Sequence, residues 1–295
     1  MDVDLAQLRA LSAAVSEGTL DAAARALHVT PSAISQRLRA LEIATGRVLL
    51  VRSKPVRVTE SGEALLRLAR QIELLTVEAA AELADGTATE PRVPTVSIAV
   101  NADSLGTWVL PALATLAGTV CWDVRVDDED HTAALVRSGT VMAAVTAEPE
   151  PVPGCSVTRL GAMRYRPMAA PDFAERWFPD GPTPQALGEA PVVVFDRKDQ
   201  LQHRYLRERG AGASRPPSSY VPASADFLTA VRLGLGWGMV PELQRHGTEP
   251  GALVEIDRAG AIDVVLHWQQ WKLRSRPLDL VAGALQAAAR RDLRP

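Results

Sequence analysis

The sequence predicts an α + α/β chain: a small helical module with a wing, one long helix, and then a two-lobed α/β domain. Residues 19–42 read as two short helices joined by a tight turn, with a basic stretch behind them. Residues 60–83 contain no glycine or proline after Gly62, and beyond a Gly/Pro/Thr-rich stretch at 85–94 short apolar runs alternate with helical ones.

The second of the two short helices has a firm start. Thr30 can cap it, and Pro31 takes its first position, where a missing backbone donor costs nothing. Ile34, Leu38 and Leu41 then recur by four and three and form one apolar stripe, while Ser32, Ser35, Gln36 and Arg39 fall largely on other faces. In the preceding helix Ala22, Ala23 and Ala26 are small enough for two helices to approach closely, as a helix-turn-helix requires.

Charge points the same way. Between residues 25 and 57 the cations Arg25, Arg37, Arg39, Arg47, Arg52, Lys54 and Arg57 stand against Glu42 alone, a local net charge of +6 in a chain that totals −3. Phosphate contacts set the register of a protein on DNA, whereas Ser, Gln and Arg near the start of a recognition helix read base edges. A winged helix-turn-helix over residues 1–60 with double-stranded DNA as partner is therefore expected. Its candidate contacts are Thr30, Ser32, Ser35, Gln36, Arg37 and Arg39 on the helix and Arg52, Lys54 and Arg57 on the wing. The competing reading is an Ala-rich hairpin with a solvated basic face, in which Thr30 and Ser32 only cap. His28 reads as a turn or packing residue.

Over residues 61–84, Leu65, Leu68, Ile72, Leu75 and Ala79 step by three, four, three and four, which is a coiled-coil seam. The expectation is a linker helix that pairs two copies; an amphipathic helix packed on its own domain is the alternative. A hinge follows at 85–94, where composition shifts. Residues 95–295 then alternate strand-like runs (96–100, 124–126, 142–146, 192–195, 237–240) with helical ones (105–116, 132–136, 227–233), the pattern of α/β units on a mainly parallel sheet. Strand-like stretches at 165–170 and 262–268 are candidate crossovers between a first lobe (95–164 and 269–295) and a second (165–268), with a ligand cleft between them.

At 295 residues and 47% hydrophobic composition the chain is long enough for two or three domains. No apolar run reaches membrane-spanning length and none follows a basic start, so a cytoplasmic protein without a membrane partner is expected. Cys121 and Cys155 do not have metal-ligand spacing and are expected as free thiols, with no metal site.

Together these residues resemble the LysR-type transcriptional regulators over essentially the whole chain. The resemblance implies a winged helix-turn-helix with a long linker helix, then a two-lobed effector domain of periplasmic-binding-protein type. The strings Asn101-Ala102-Asp103-Ser104-Leu105-Gly106-Thr107-Trp108, Asp127-Asp128-Glu129-Asp130-His131-Thr132 and Val221-Pro222-Ala223-Ser224-Ala225, with Gly234-Leu235-Gly236-Trp237-Gly238 after the last, are similar to its ArgP/LysG (IciA) branch. That branch implies sensing of lysine or arginine and control of an exporter gene for basic amino acids. It also implies a homodimer or homotetramer, RNA polymerase as a further partner, and no cofactor besides the amino-acid effector.

The same resemblance places the effector at the carboxyl ends of the lobe strands, a position that helix N-termini suit for an anionic group. The candidate ligand residues are Asn101, Asp103, Ser104, Asp127, Asp128, Thr146, Phe195, Asp196, Ser224 and Asp226. Ser104 and Ser224, with backbone N–H groups, are assigned to the α-carboxylate; Asp103, Asp127, Asp128 or Asp196 to the cationic groups. Asp103 as a helix cap and 127–130 as a solvated loop are the competing roles, and Trp108 and Trp237 are expected in the core. Glu148 departs from the uncharged residues of the branch at this position.

Other function classes find less support. There is no Gly-x-Ser-x-Gly elbow, His-Glu-x-x-His, phosphate loop or Cys-x-x-Cys, and His131, His203, His246 and His267 are scattered, so no enzyme is expected. A transport binding protein would need an export signal and no basic module. A nucleoid- or replication-associated DNA-binding protein without a metabolite ligand, or a LysR-type regulator of a different small metabolite, is the remaining alternative.

Overall fold

The computed structural model describes residues 3–51, 53–83, 93–127, 132–245 and 249–295. Arg52, Asp128, His131, His246 and the hinge up to residue 92 lie outside the described residues. Among the described residues no helix is long and apolar enough to cross a membrane.

The N-terminal module runs α1 (Leu5–Ser16), α2 (Leu20–Ala26), α3 (Pro31–Thr45), β1 (Leu50–Val51), β2 (Arg57–Val58) and α4 (Glu60–Leu83). Each start has a local cause. The Ala22 N–H donates to Thr19 Oγ1 at 3.1 Å and the Ala33 N–H to Thr30 Oγ1 at 3.2 Å, satisfying donors that a helix start leaves open. α3 ends on Gly46, whose φ of +64° suits a residue without a Cβ. β1 and β2 pair antiparallel, with Leu50 opposite Val58, and form the wing. Leu11, Ala23, Ile34, Leu41 and Leu49 make one core with Leu65, Leu66 and Ala69 of α4. α4 starts under this wing: Thr59 Oγ1 donates to the Val48 carbonyl at 2.7 Å and accepts from the Gly62 N–H at 3.1 Å.

The chain continues through β3 (Thr95–Val100), α5 (Ala102–Ser104), a π-helical turn (Leu105–Val109), α6 (Leu110–Ala114), β4 (Cys121–Val126), α7 (Thr132–Arg137), β5 (Ala143–Thr146) and the long β6 (Cys155–Ala169). It then runs α8 (Pro171–Trp177), α9 (Pro184–Glu189), β7 (Val192–Val194), α10 (Leu201–Glu208), β8 (Ser218–Tyr220), α11 (Ser224–Arg232), β9 (Gly238–Pro241), α12 (Glu242–Arg245), β10 (Val254–Glu255), β11 (Ile262–Trp271) and α13 (Arg276–Asp292).

Two compact units result: residues 1–100, 116–158 and 268–283, and residues 101–115, 159–267 and 284–295. In the first, β3 pairs in parallel with β4 and with β5, so that Ile98 lies opposite both Val124 and Ala143. β3 is buried on both faces from Val96 to Val100, which explains its unbroken apolar run. In the second, β6 pairs antiparallel with β9 and β10, and β7 pairs in parallel with β8. Met168, Val193, Phe227, Val231 and Val240 pack together there. One half-buried side of β6 is charged: Arg164 makes a two-pronged pair with Asp263, both bonds 2.6 Å, and Arg166 bonds Glu255 at 2.5 Å and Glu242 at 3.1 Å.

Two outcomes follow from these contacts. A Cβ at Gly62 would collide with the Leu49 carbonyl oxygen and the Val58 side chain. Gly62→Ala is expected to destabilise the module by about 1–3 kcal/mol, read as a lower midpoint in chemical denaturation. The hydrogen bonds from Arg164 hold the Asp263 carboxyl below its usual range, so the stability it lends is complete above the ordinary carboxylate range and is lost as pH falls through the depressed value. Between about pH 5 and about pH 3 the thermal midpoint of Asp263→Asn should therefore fall less steeply than that of the parent; equal slopes would remove Asp263 from the acid response.

Candidate functional site

The DNA-facing candidates are organised by α3. Its buried stripe is Ile34, Leu38 and Leu41, and on the opposite side Ser32, Gln36, Arg39 and Ile43 recur by four, three and four, all exposed. Ser35 and Arg37 flank this row and are half-buried. Thr30 is exposed, but its hydroxyl oxygen is committed to the cap. Lys54 and Arg57 are exposed on the wing, as are Arg25 and Arg47 near the ends of α2 and α3. His28 holds the turn with a left-handed φ of +54°, uncommon outside glycine. Sequence reasoning passed over Ile43, which is 73% exposed on the polar side of α3; only its place opposite the stripe could have singled it out.

α4 carries two apolar sides rather than one. Leu65, expected in the pairing seam, is buried with Leu66 and Ala69 in the module, and Ile72 is partly buried against it. Leu68, Leu75, Ala79 and Leu83 remain exposed, Leu83 at 81%. On the buried side Arg70 is only 3% exposed, and its Nη2 donates to Ser16 Oγ at 3.1 Å. Burial brings its pKa down to about 10 against the pull of Asp123 and Glu73, so it is still a cation at neutral pH.

The effector candidates divide between the two units. In the second, Asp103 Oδ1 accepts from the Ser224 hydroxyl at 2.5 Å and from Gln244 Nε2 at 3.5 Å, and the Gln244 amide also donates to Ser224 Oγ. Two residues expected at the site thus meet a third that sequence reasoning missed. Ser224 spends its proton on Asp103. Asp103 does not cap: Asn101 holds the N-cap position of α5, without a side-chain cap bond. Asn101 and Ser104 are buried, and Asn101 Oδ1 and Ser104 Oγ have no partner among the described residues.

Asp196 Oδ1 accepts from the Lys198 and Asp199 N–H groups at 2.7 and 3.0 Å and thereby shapes the loop after β7. Phe195 packs against the core of the second unit, and Asp226 is exposed in the first turn of α11. In the first unit, Asp127 follows β4 half-buried, and buried Thr146 ends β5 with Oγ1 accepting from the Glu148 N–H at 3.1 Å.

A winged helix-turn-helix joined by a long helix to an α/β domain defines a class: DNA-binding regulators with an attached sensor domain. Residues 5–63 match the bacterial regulatory helix-turn-helix proteins of the lysR family, and residues 90–290 match the LysR substrate binding domain. The chain belongs to the LysR family. It is 46% identical over 288 residues to the HTH-type transcriptional regulator LysG of Mycobacterium tuberculosis, covering 97% of this chain and 94% of that one. The crystal structure of ArgP from Mycobacterium tuberculosis superposes with a TM-score of 0.84 at 44% identity, covering 99% of both chains. Full-length LysG from Corynebacterium glutamicum with bound effector arginine superposes with a TM-score of 0.76 at 38% identity, covering 99% of this chain and 100% of that one.

Proposed function

We propose that this chain is a cytoplasmic transcriptional regulator that binds a double-stranded operator as a homodimer, senses arginine or lysine, and controls an exporter gene. The observation that carries the reading is its full-length similarity to a LysG solved with bound effector arginine. Relatives in Corynebacterium named lysine export transcriptional regulatory protein support the target.

Reading of the operator falls to the exposed row of α3. Gln36 and Arg39 carry donors suited to base edges in a major groove, while Lys54 and Arg57 on the wing suit phosphates. Pairing of copies falls to the exposed side of α4, where Leu68, Leu75, Ala79 and Leu83 would otherwise face water. In the second unit Asp103 takes a cationic group of the effector, with Ser224 and Gln244 turning its carboxylate to receive it. A guanidinium or ammonium gains a charge-assisted bond there that a neutral side chain cannot form.

Two experiments test these roles. In gel-shift titrations with the promoter of an adjacent exporter gene, Gln36→Ala and Arg39→Ala should each weaken specific binding by about 1–3 kcal/mol while leaving non-specific binding nearly unchanged. Equal losses on specific and random DNA would assign them to phosphates. In calorimetry, Asp103→Asn should bind arginine about tenfold or more weakly than the parent, and unchanged affinity would discard the cation role.

A further inference from the structure

The second unit holds a cavity of about 440 Å³ that shares no residue with the Asp103, Ser224 and Gln244 cluster. Its size falls within the range of small-molecule sites. Val192 and Val194 of β7 line it, being two residues apart and therefore on one face of the strand, whereas Val193 packs into the core. α10 supplies Gln202, His203 and Leu206, and residues 212–216 lead across to β8.

Gln202 is the unusual member. On α10 it shares the buried side with Tyr205 and Leu206, where an apolar residue is the ordinary choice. It is 1% exposed and lines the cavity, and its Oε1 has no hydrogen-bond partner among the described residues. A buried amide left in this way costs free energy unless something supplies its bonds.

The chain segment that supplies much of the lining is rich in positive charge. Residues 197–215 contain Arg197, Lys198, Arg204, Arg207, Arg209 and Arg215 against Asp199 and Glu208, a local +4 in a chain of −3. Arg204 is paired with Glu208 and Arg209 with Asp257, but Arg215, which lines the cavity beside His203, makes no ion pair among the described residues. Both Arg215 and His203 are exposed, so they stand where an anion would enter.

We infer that this cavity is a second small-molecule site, which takes an organic or inorganic anion through Arg215 and His203 and completes the hydrogen bonding of the Gln202 amide. Its carboxylate or phosphate oxygens accept from the Arg215 guanidinium and a His203 ring N–H, and a protonated group or a turned amide satisfies Gln202.

Calorimetric titration of succinate and of inorganic phosphate into the full-length protein, against sodium chloride of equal ionic strength and with and without saturating arginine, tests the site. At least one anion should bind saturably in both conditions, and the two arms tell carboxylate from phosphate chemistry. Arg215→Ala and Gln202→Met should each weaken that binding about tenfold or more and leave the arginine titration as it was. Arg215 is exposed, so its variant is informative even where Gln202→Met folds poorly. Absence of saturable binding by either anion, binding that survives Arg215→Ala, or displacement by arginine would overturn the proposal. A change of sedimentation coefficient in Arg215→Ala without a loss of anion affinity would instead assign the cavity to a docking surface. A protein that binds no arginine but binds an anion here would refute the effector reading alone.

Discussion

The first unit depends on how α4 is held. Most of a helix's stability in a protein comes from the apolar face it packs, so the neighbours of this 24-residue helix decide how firmly it is held. Toward the module it buries Leu65, Leu66 and Ala69, and each fully buried leucine contributes about 1.5–3 kcal/mol of transfer free energy. Beyond the module, the Ser275 hydroxyl donates to Glu78 Oε1 at 3.1 Å, and Gly139 (φ +74°) comes so near that a Cβ would lie 3.0 Å from the Arg67 nitrogen. Within this unit α4 is therefore held by the module and by the loops at Gly139 and Ser275, while Leu68, Leu75 and Leu83 stay exposed.

A core on one side of the module lets the other side be polar. α3 presents Ser32, Gln36 and Arg39 to solvent and gains nothing from burying them, so its fold rests on the opposite stripe and on its two ends. The Thr30 cap and the Gly46 stop set where the helix begins and finishes, and thereby the angle at which the exposed row stands. The exposed polar row and the buried folding stripe lie on different faces of the same fifteen residues.

Local patterns were legible and distant ones were not. The caps, the stripe of α3 and the double-sided burial of β3 are written in residues close together in the chain, and the sequence identifies them for that reason. The seam of α4 was only half legible: the spacing of Leu65 fits a coiled coil, but the wing and α1 claim it for the core, and periodicity cannot tell two apolar neighbours apart. Gln244 was invisible because its partner Asp103 lies 141 residues away and no motif surrounds it. Asp196 was legible as a residue type after a strand, but the turn it shapes was not. Its carboxylate faces backbone donors of its own loop, and neighbouring Asp199 does the same for the Phe195 and Leu201 N–H groups. Carboxylates after a strand serve turns as readily as ligands, and residue type alone does not separate the two.

Arg70 joins the helix to the sheet electrostatically. A buried guanidinium is tolerated when other charges and acceptors compensate the water it has lost, and here Ser16 supplies the acceptor while Glu73 and Asp123 supply opposite charge. Asp123 and Arg125 lie on β4, whose carboxyl end leads to Asp127. The strand that carries an effector candidate thus also carries charges felt by the buried cation of the linker helix. Low local dielectric makes such a pair sensitive to distance, since the Coulomb term is screened far less than at the surface. In this unit, then, the Asp123 charge on β4 helps to offset the burial of Arg70 on α4.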